Sequence, residues 1–181
     1  MHDPGLRIAT RTLACAAMIV AVAACSRSSD RAASSATADV TATATVAPVA
    51  FGTAELRAGD RAIRVEVAST RAQSERGLGY RDTLAADAGM IFDLHRTQVP
   101  VFWMKGMRFP LDMVWIDDAK RVVDVARDVP PQPGAKDDEL RRYSPAVPVR
   151  YTLEVNAGAA ARLGLAPGAQ LTFQIGDGAG N

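Results

Sequence analysis

Leu111-Asp112-Met113-Val114-Trp115-Ile116-Asp117 decides the fold class. Four consecutive apolar residues, Met113 to Ile116, stand at its centre. Successive side chains of an extended segment point to opposite faces, so both faces here are apolar. Such a run reads as a strand buried inside a sheet. Asp117-Asp118-Ala119-Lys120 then turns the chain into a second run over 121–126. Upstream, 53–57 and 61–68 flank Gly59-Asp60, and Ile63, Val65 and Val67 alternate with Arg64 and Glu66. That pattern predicts a hairpin with a half-buried second strand. Further strands are expected over 89–94, 101–105, 151–155 and 171–175, with 128–148, rich in Pro and charge, as loop. Thr70-Arg71-Ala72-Gln73 has capping-box spacing, so a short helix should follow and stop near Gly77 or Gly79. A second brief helix is expected over 156–163, stopped by Gly164. The class predicted is mainly β: a small β-barrel or sandwich-like single domain with one or two short helices.

The rest of the 181-residue chain is organised around this domain, expected over 51–176, with 177–181 as a Gly-rich flexible tail. Residues 1–24 carry Arg7 and Arg11 followed by an uncharged run over 13–24. A basic start, a short apolar run and small residues at its end make a secretory signal peptide. Val22-Ala23-Ala24-Cys25 makes it resemble a bacterial lipoprotein signal, with Cys25 as the lipidated residue. The run is shorter than the about 20 apolar residues a membrane span needs. Ser26 follows Cys25, and resemblance to lipoprotein sorting rules then places the product at the outer membrane, facing the periplasm. Residues 25–50 are mostly Ser, Ala and Thr without aromatics, which predicts a disordered tether.

The net charge of +1, from 21 basic and 20 acidic residues, gives no reason to expect nucleic acid as a partner. The only cysteines are Cys15, inside the signal, and Cys25. The domain therefore has no disulfide, no thiolate metal site and no cysteine nucleophile.

Gly77-Leu78-Gly79-Tyr80-Arg81, Gly89-Met90-Ile91-Phe92, Phe102-Trp103-Met104-Lys105 through Pro110-Leu111-Asp112, and Leu153-Glu154-Val155 with Gly158 occur in that order. In these segments the chain resembles the domain-of-unknown-function 192 family, a group of small prokaryotic domains, over nearly all of 55–175. The resemblance implies a compact, mainly β fold and no activity. The chain departs from the family's pattern at Gly106, where Asn is usual, and at Gly79, where Met is frequent.

Among chemistry-bearing residues, Trp103 and Lys105 fall on one face of the strand expected at 101–105, with Phe102 and Met104 on the other. One reading makes Trp103 a stacking platform and Lys105 an anion contact, with Arg81 and Asp112 nearby, for a sugar or an anionic small molecule. The other places the aromatics in the core, pairs Lys105 with Asp112 and lets Asp112 accept a turn N–H. His95 is the domain's one histidine, so no structural zinc site can be built from His and Cys. No metal or cofactor is expected. Three classes of function follow: a binding or accessory domain held to the membrane by lipid on Cys25, an envelope hydrolase using Asp112 with His95 or a second carboxylate such as Asp93, and a structural partner of an envelope protein complex.

Overall fold

The computed structural model describes residues 49–176. The expected signal, Cys25, nearly all of the tether and the tail lie outside the described residues. A hairpin opens the domain: β1 (Gly52–Ala58) pairs antiparallel with β2 (Arg61–Ala68) across Gly59-Asp60. Helix α1 (Arg71–Arg76) follows as the capping box requires. The Thr70 hydroxyl accepts from Gln73 N–H, the Gln73 side chain accepts from Thr70 N–H, and Gly77 ends the helix at positive φ. Next come β3 (Ala88–Gln98), β4 (Leu111–Ile116), β5 (Val122–Val129), β6 (Val149–Asn156), α2 (Ala159–Leu163) and β7 (Leu171–Phe173).

These strands form one sheet of seven, in the order β5-β4-β6-β3-β2-β1-β7. Only β2 and β3 run parallel, because α1 carries the chain back between them. The sheet curls into a half-barrel, and its two edges meet at one corner. There Arg121 bridges Gln170, and Val122 N–H and Leu171 N–H donate to Ala169 and Lys120 carbonyls, each at 2.9 Å. Joining the edges removes part of the unpaired backbone that an open sheet would present.

Strand β6 lies between β4 and β3, so the centre of the sheet is buried on both faces. One face carries Ile91, Val114, Ile116, Leu153 and Val155 against Ala159 and Ala160 of α2. The other carries Met90, Phe92, Met113 and Trp115, covered by Leu78, Met104 and Met107. A fully buried side chain of this size contributes about 1.5–3 kcal/mol relative to exposure. Apolar burial therefore holds the covering loop down.

That loop corrects the expected strand at 101–105. Phe102 makes a single antiparallel bridge with Tyr143, both bonds 2.9 Å, and the chain then turns at Lys105-Gly106. Pro100 and Pro110 bracket the segment and withhold ladder donors. Its apolar residues face a sheet they do not belong to. Phe102 stands edge-on to Phe92 and Trp115, with ring centroids 5.0 and 5.5 Å apart. Phe102 and Met104 turn inward while Trp103 and Lys105 stay exposed.

Candidate functional site

Helix α1, its following Gly77-Leu78-Gly79 turn, the covering loop and the face of β3 and β6 beneath it enclose a pocket of about 360 Å³. Phe92 and Glu154 come from the sheet, and Leu78, Phe102 and Met107 from the cover. Two glycines allow the turn and the loop to meet. A Cβ on Gly79 would lie 3.0 Å from the Lys105 carbonyl oxygen, so a side chain there would push the covering loop back by a few tenths of an ångström. Gly106 has φ +69, the left-handed conformation that Gly adopts freely and Asn tolerates. Here the Tyr80 ring, 2.9 Å from a Cβ placed on Gly106, occupies the space such a side chain would need.

Glu154 is the chemically distinctive residue of the pocket. It sits on the central strand, opposite Met90 on one side and Met113 on the other. It is 5% exposed. Burial pushes its carboxyl up to about 8, with no donor or cation to offset the loss of water. At pH 7 the group is mostly neutral and presents an O–H. Two residues away on the same strand, the Thr152 hydroxyl is fully buried and has no hydrogen-bond partner, whereas the Glu154 carboxyl opens onto the pocket.

The mouth is charged and partly aromatic. Arg71 pairs with Glu75 at 2.7 Å, and Lys105 with Asp137 at 2.6 Å, which raises the Lys105 ammonium. Arg76 lies over the Tyr80 ring at 4.9 Å, and Arg142 over Trp103 at 4.3 Å.

The four residues expected from the sequence divide. Trp103 and Lys105 line this pocket; Arg81 and Asp112 do not. Arg81 forms a two-pronged pair with Glu66 of β2, at 2.5 and 2.8 Å, which lowers the Glu66 carboxyl and raises the guanidinium. Asp112 is buried, and its two oxygens accept Asp128 N–H at 2.9 Å and Ala160 N–H at 3.0 Å. Lys105 therefore pairs with Asp137 and not with Asp112. Neither expected hydrolase pair assembles. The His95 backbone N–H donates to Asp93, its ring meets the Ser69 carbonyl, and Asp93 pairs with Arg150. Asp93 and Asp112 stand opposite Tyr151 and Val155 of β6. The strand rise separates those positions by about 13 Å. Among the described residues no group of three or more His, Cys, Asp or Glu is placed to hold a metal ion.

Sequence reasoning placed Glu154 in a strand but not in a site. Thr152 and Glu154 alternate with Leu153 and Val155, the ordinary pattern of a strand with one wet face. The cover that makes that face dry comes from segments about 50 and 80 residues away.

Comparison with known proteins agrees with the architecture. DUF192, described as Uncharacterized ACR, matches residues 54–173. A solved structure from Sinorhizobium meliloti 1021, named as a candidate transcription regulator, is 32% identical with a TM-score of 0.61, covering 70% of this chain and 97% of its own. A protein of unknown function from Novosphingobium aromaticivorans DSM 12444 is 28% identical with a TM-score of 0.60, covering 71% of this chain and 89% of its own. No curated protein matches.

Proposed function

The chain belongs to the DUF192 family, whose description assigns no activity, and from that premise we propose a tethered binding role: an envelope lipoprotein, anchored at the outer membrane through lipid on Cys25, whose β domain holds a small molecule in the Glu154 pocket. The observation that carries the binding part is the unpaired Glu154 carboxyl facing a mostly apolar pocket with Trp103 at its mouth. The carboxyl makes no hydrogen bond within the protein and opens onto the pocket, so its polar atoms are available to a ligand. The pocket volume of about 360 Å³ lies within the range of small-molecule sites.

A hydrolase is less well supported, because Asp112 and Asp93 are committed to other partners. The name of the Sinorhizobium relative points to transcription. In this chain 21 basic residues face 20 acidic ones, a net charge of only +1, which offers little to a phosphate backbone.

A thermal-shift screen of the full chain against envelope sugars, peptides and small apolar molecules tests the binding role. A ligand at a hundredfold excess over its Kd should add about 2.7 kcal/mol of stability. Trp103→Ala should weaken that ligand roughly tenfold without unfolding the domain, since Trp103 is 44% exposed. No response from any class would sink the reading. The anchor is tested separately. Cys25→Ser should move the protein from the membrane fraction to the soluble one, and unchanged fractionation would refute lipidation at Cys25.

A further inference from the structure

The polarity of the pocket floor and mouth restricts what can enter. Apart from Glu154, the charged groups lining the pocket are Arg71, Glu75 and Arg76 from α1 and Lys105 from the covering loop. Strands β3 and β4 flank Glu154 with Met90 and Met113. A cation entering the pocket would find the mouth carboxylates Glu75 and Asp137 already paired with Arg71 and Lys105, and it would need Glu154 ionised where burial opposes ionisation. An anion pushed to the floor would find one neutral carboxyl and no cation, so it would lose its hydration uncompensated. A wholly apolar ligand would fit the walls but leave the Glu154 O–H unmatched. The remaining class is a neutral molecule with an apolar body and a hydrogen-bond acceptor at its inner end.

We propose that this pocket selects apolar, ring-sized molecules ending in a neutral acceptor such as a carbonyl or ether oxygen, with the Glu154 carboxyl donating to that oxygen and Trp103 packing on the outer end. The proposal deepens the binding role stated above and rests on it. Independent support comes from the distribution of apolar surface. Five large apolar side chains are markedly exposed among the described residues, and Val101 and Trp103, two of them, line this mouth. Val99, a third, lies two residues before Val101 on the same loop. Exposed apolar groups gathered at the mouth of one pocket mark a contact surface. Raising the pH above the point where Glu154 ionises removes the donor and sets a charge beside the acceptor, so binding is coupled to a proton.

The test titrates three probes of similar shape, acetophenone, ethylbenzene and benzylamine, into the full chain at pH 6 and pH 9, read by protein-detected NMR. The acetophenone-to-ethylbenzene affinity ratio at pH 6 should fall about 5–10-fold in Glu154→Met and persist in Glu154→Gln, whose amide still donates. Acetophenone should weaken at least fivefold in the wild type at pH 9 and stay unchanged in Glu154→Gln. A ratio indifferent to Glu154→Met, or benzylamine as the tightest probe at pH 6, would overturn the acceptor assignment while leaving a binding pocket in place. Failure of all three probes to bind would overturn the acceptor assignment, while the binding role falls only if the thermal-shift screen is also silent for every class. Amide dispersion in the same spectra shows whether each variant is folded.

Discussion

Asp112→Ala should lower the stability of the domain by about 2–4 kcal/mol. The two Asp112 oxygens accept from Asp128 N–H and Ala160 N–H, at 2.9 and 3.0 Å. These contacts tie β4 to two places that have no other local solution. Asp128 sits at φ +50 in β5, beside a register shift between Leu111 and Met113. Ala160 lies in the first turn of α2, whose cap residue is Gly158 and offers no side-chain acceptor. Removing the carboxylate strands the buried Ala160 amide, which costs about 1–3 kcal/mol without a partner, and the part-buried Asp128 amide, which costs less because water reaches it. Against a typical total of about 5–15 kcal/mol, that loss is large. Asp112→Asn keeps one acceptor oxygen and should lose roughly half as much. Urea denaturation measures both, with the midpoint falling at constant slope. A loss below about 1 kcal/mol in Asp112→Ala would show that neither amide depends on this side chain.

The contrast between Asp112 and Glu154 shows how far the sequence could be read. Elements with a local signature were legible: Thr70 and Gln73 announced α1, Gly164 ended α2, and the apolar centre of 111–117 marked a strand buried on both faces. Local signatures also misled. The segment 101–105 has the composition of a strand because it packs on a sheet, and composition does not distinguish lying on a sheet from belonging to it. Asp112 stood out because it is charged beside an apolar run, yet its oxygens serve the backbone. Arg81 stood out as a motif residue, yet it belongs to an ion pair with Glu66. Glu154 did not stand out, because a Glu alternating with Leu and Val is what a half-exposed strand contains. Its meaning depends on α1 and the covering loop closing over β6, and that closure is a non-local fact. Trp103 and Lys105 were legible as neighbours because they are two residues apart, and the loop keeps both at the mouth.

Replacing Glu154 should reveal what the pocket costs. Glu154→Met is expected to stabilise the domain by about 3 kcal/mol at pH 7, and the gain should depend on pH in a defined direction. In the folded protein the carboxyl ionises at about 8, against an ordinary value of 4.5. Below 4.5 both folded and unfolded chains hold the proton, and Glu154 carries no ionisation penalty. Between 4.5 and 8 the unfolded chain releases the proton while the folded chain keeps it, so wild-type stability falls steadily as pH rises. Each pH unit in that interval removes about 1.4 kcal/mol, which gives about 3 kcal/mol by pH 7. Methionine has nearly the same length, does not titrate and matches Met90 and Met113 on either side. Its stability should therefore be flat from pH 5 to pH 8. The Glu66–Arg81 and Asp93–Arg150 pairs act in the opposite sense: both carboxyls are lowered, so their contributions disappear as pH falls below the ordinary carboxylate range. The two trends together place the wild-type maximum near pH 5, and Glu154→Met should move it toward neutrality. Chemical denaturation of both proteins across this range decides the matter. A wild-type profile flat from pH 5 to pH 8, or a Met variant less stable at pH 7, would mean that Glu154 is satisfied by something that offsets its burial. A more stable variant that no longer distinguishes acetophenone from ethylbenzene would place the residue among those kept for binding at the expense of the fold.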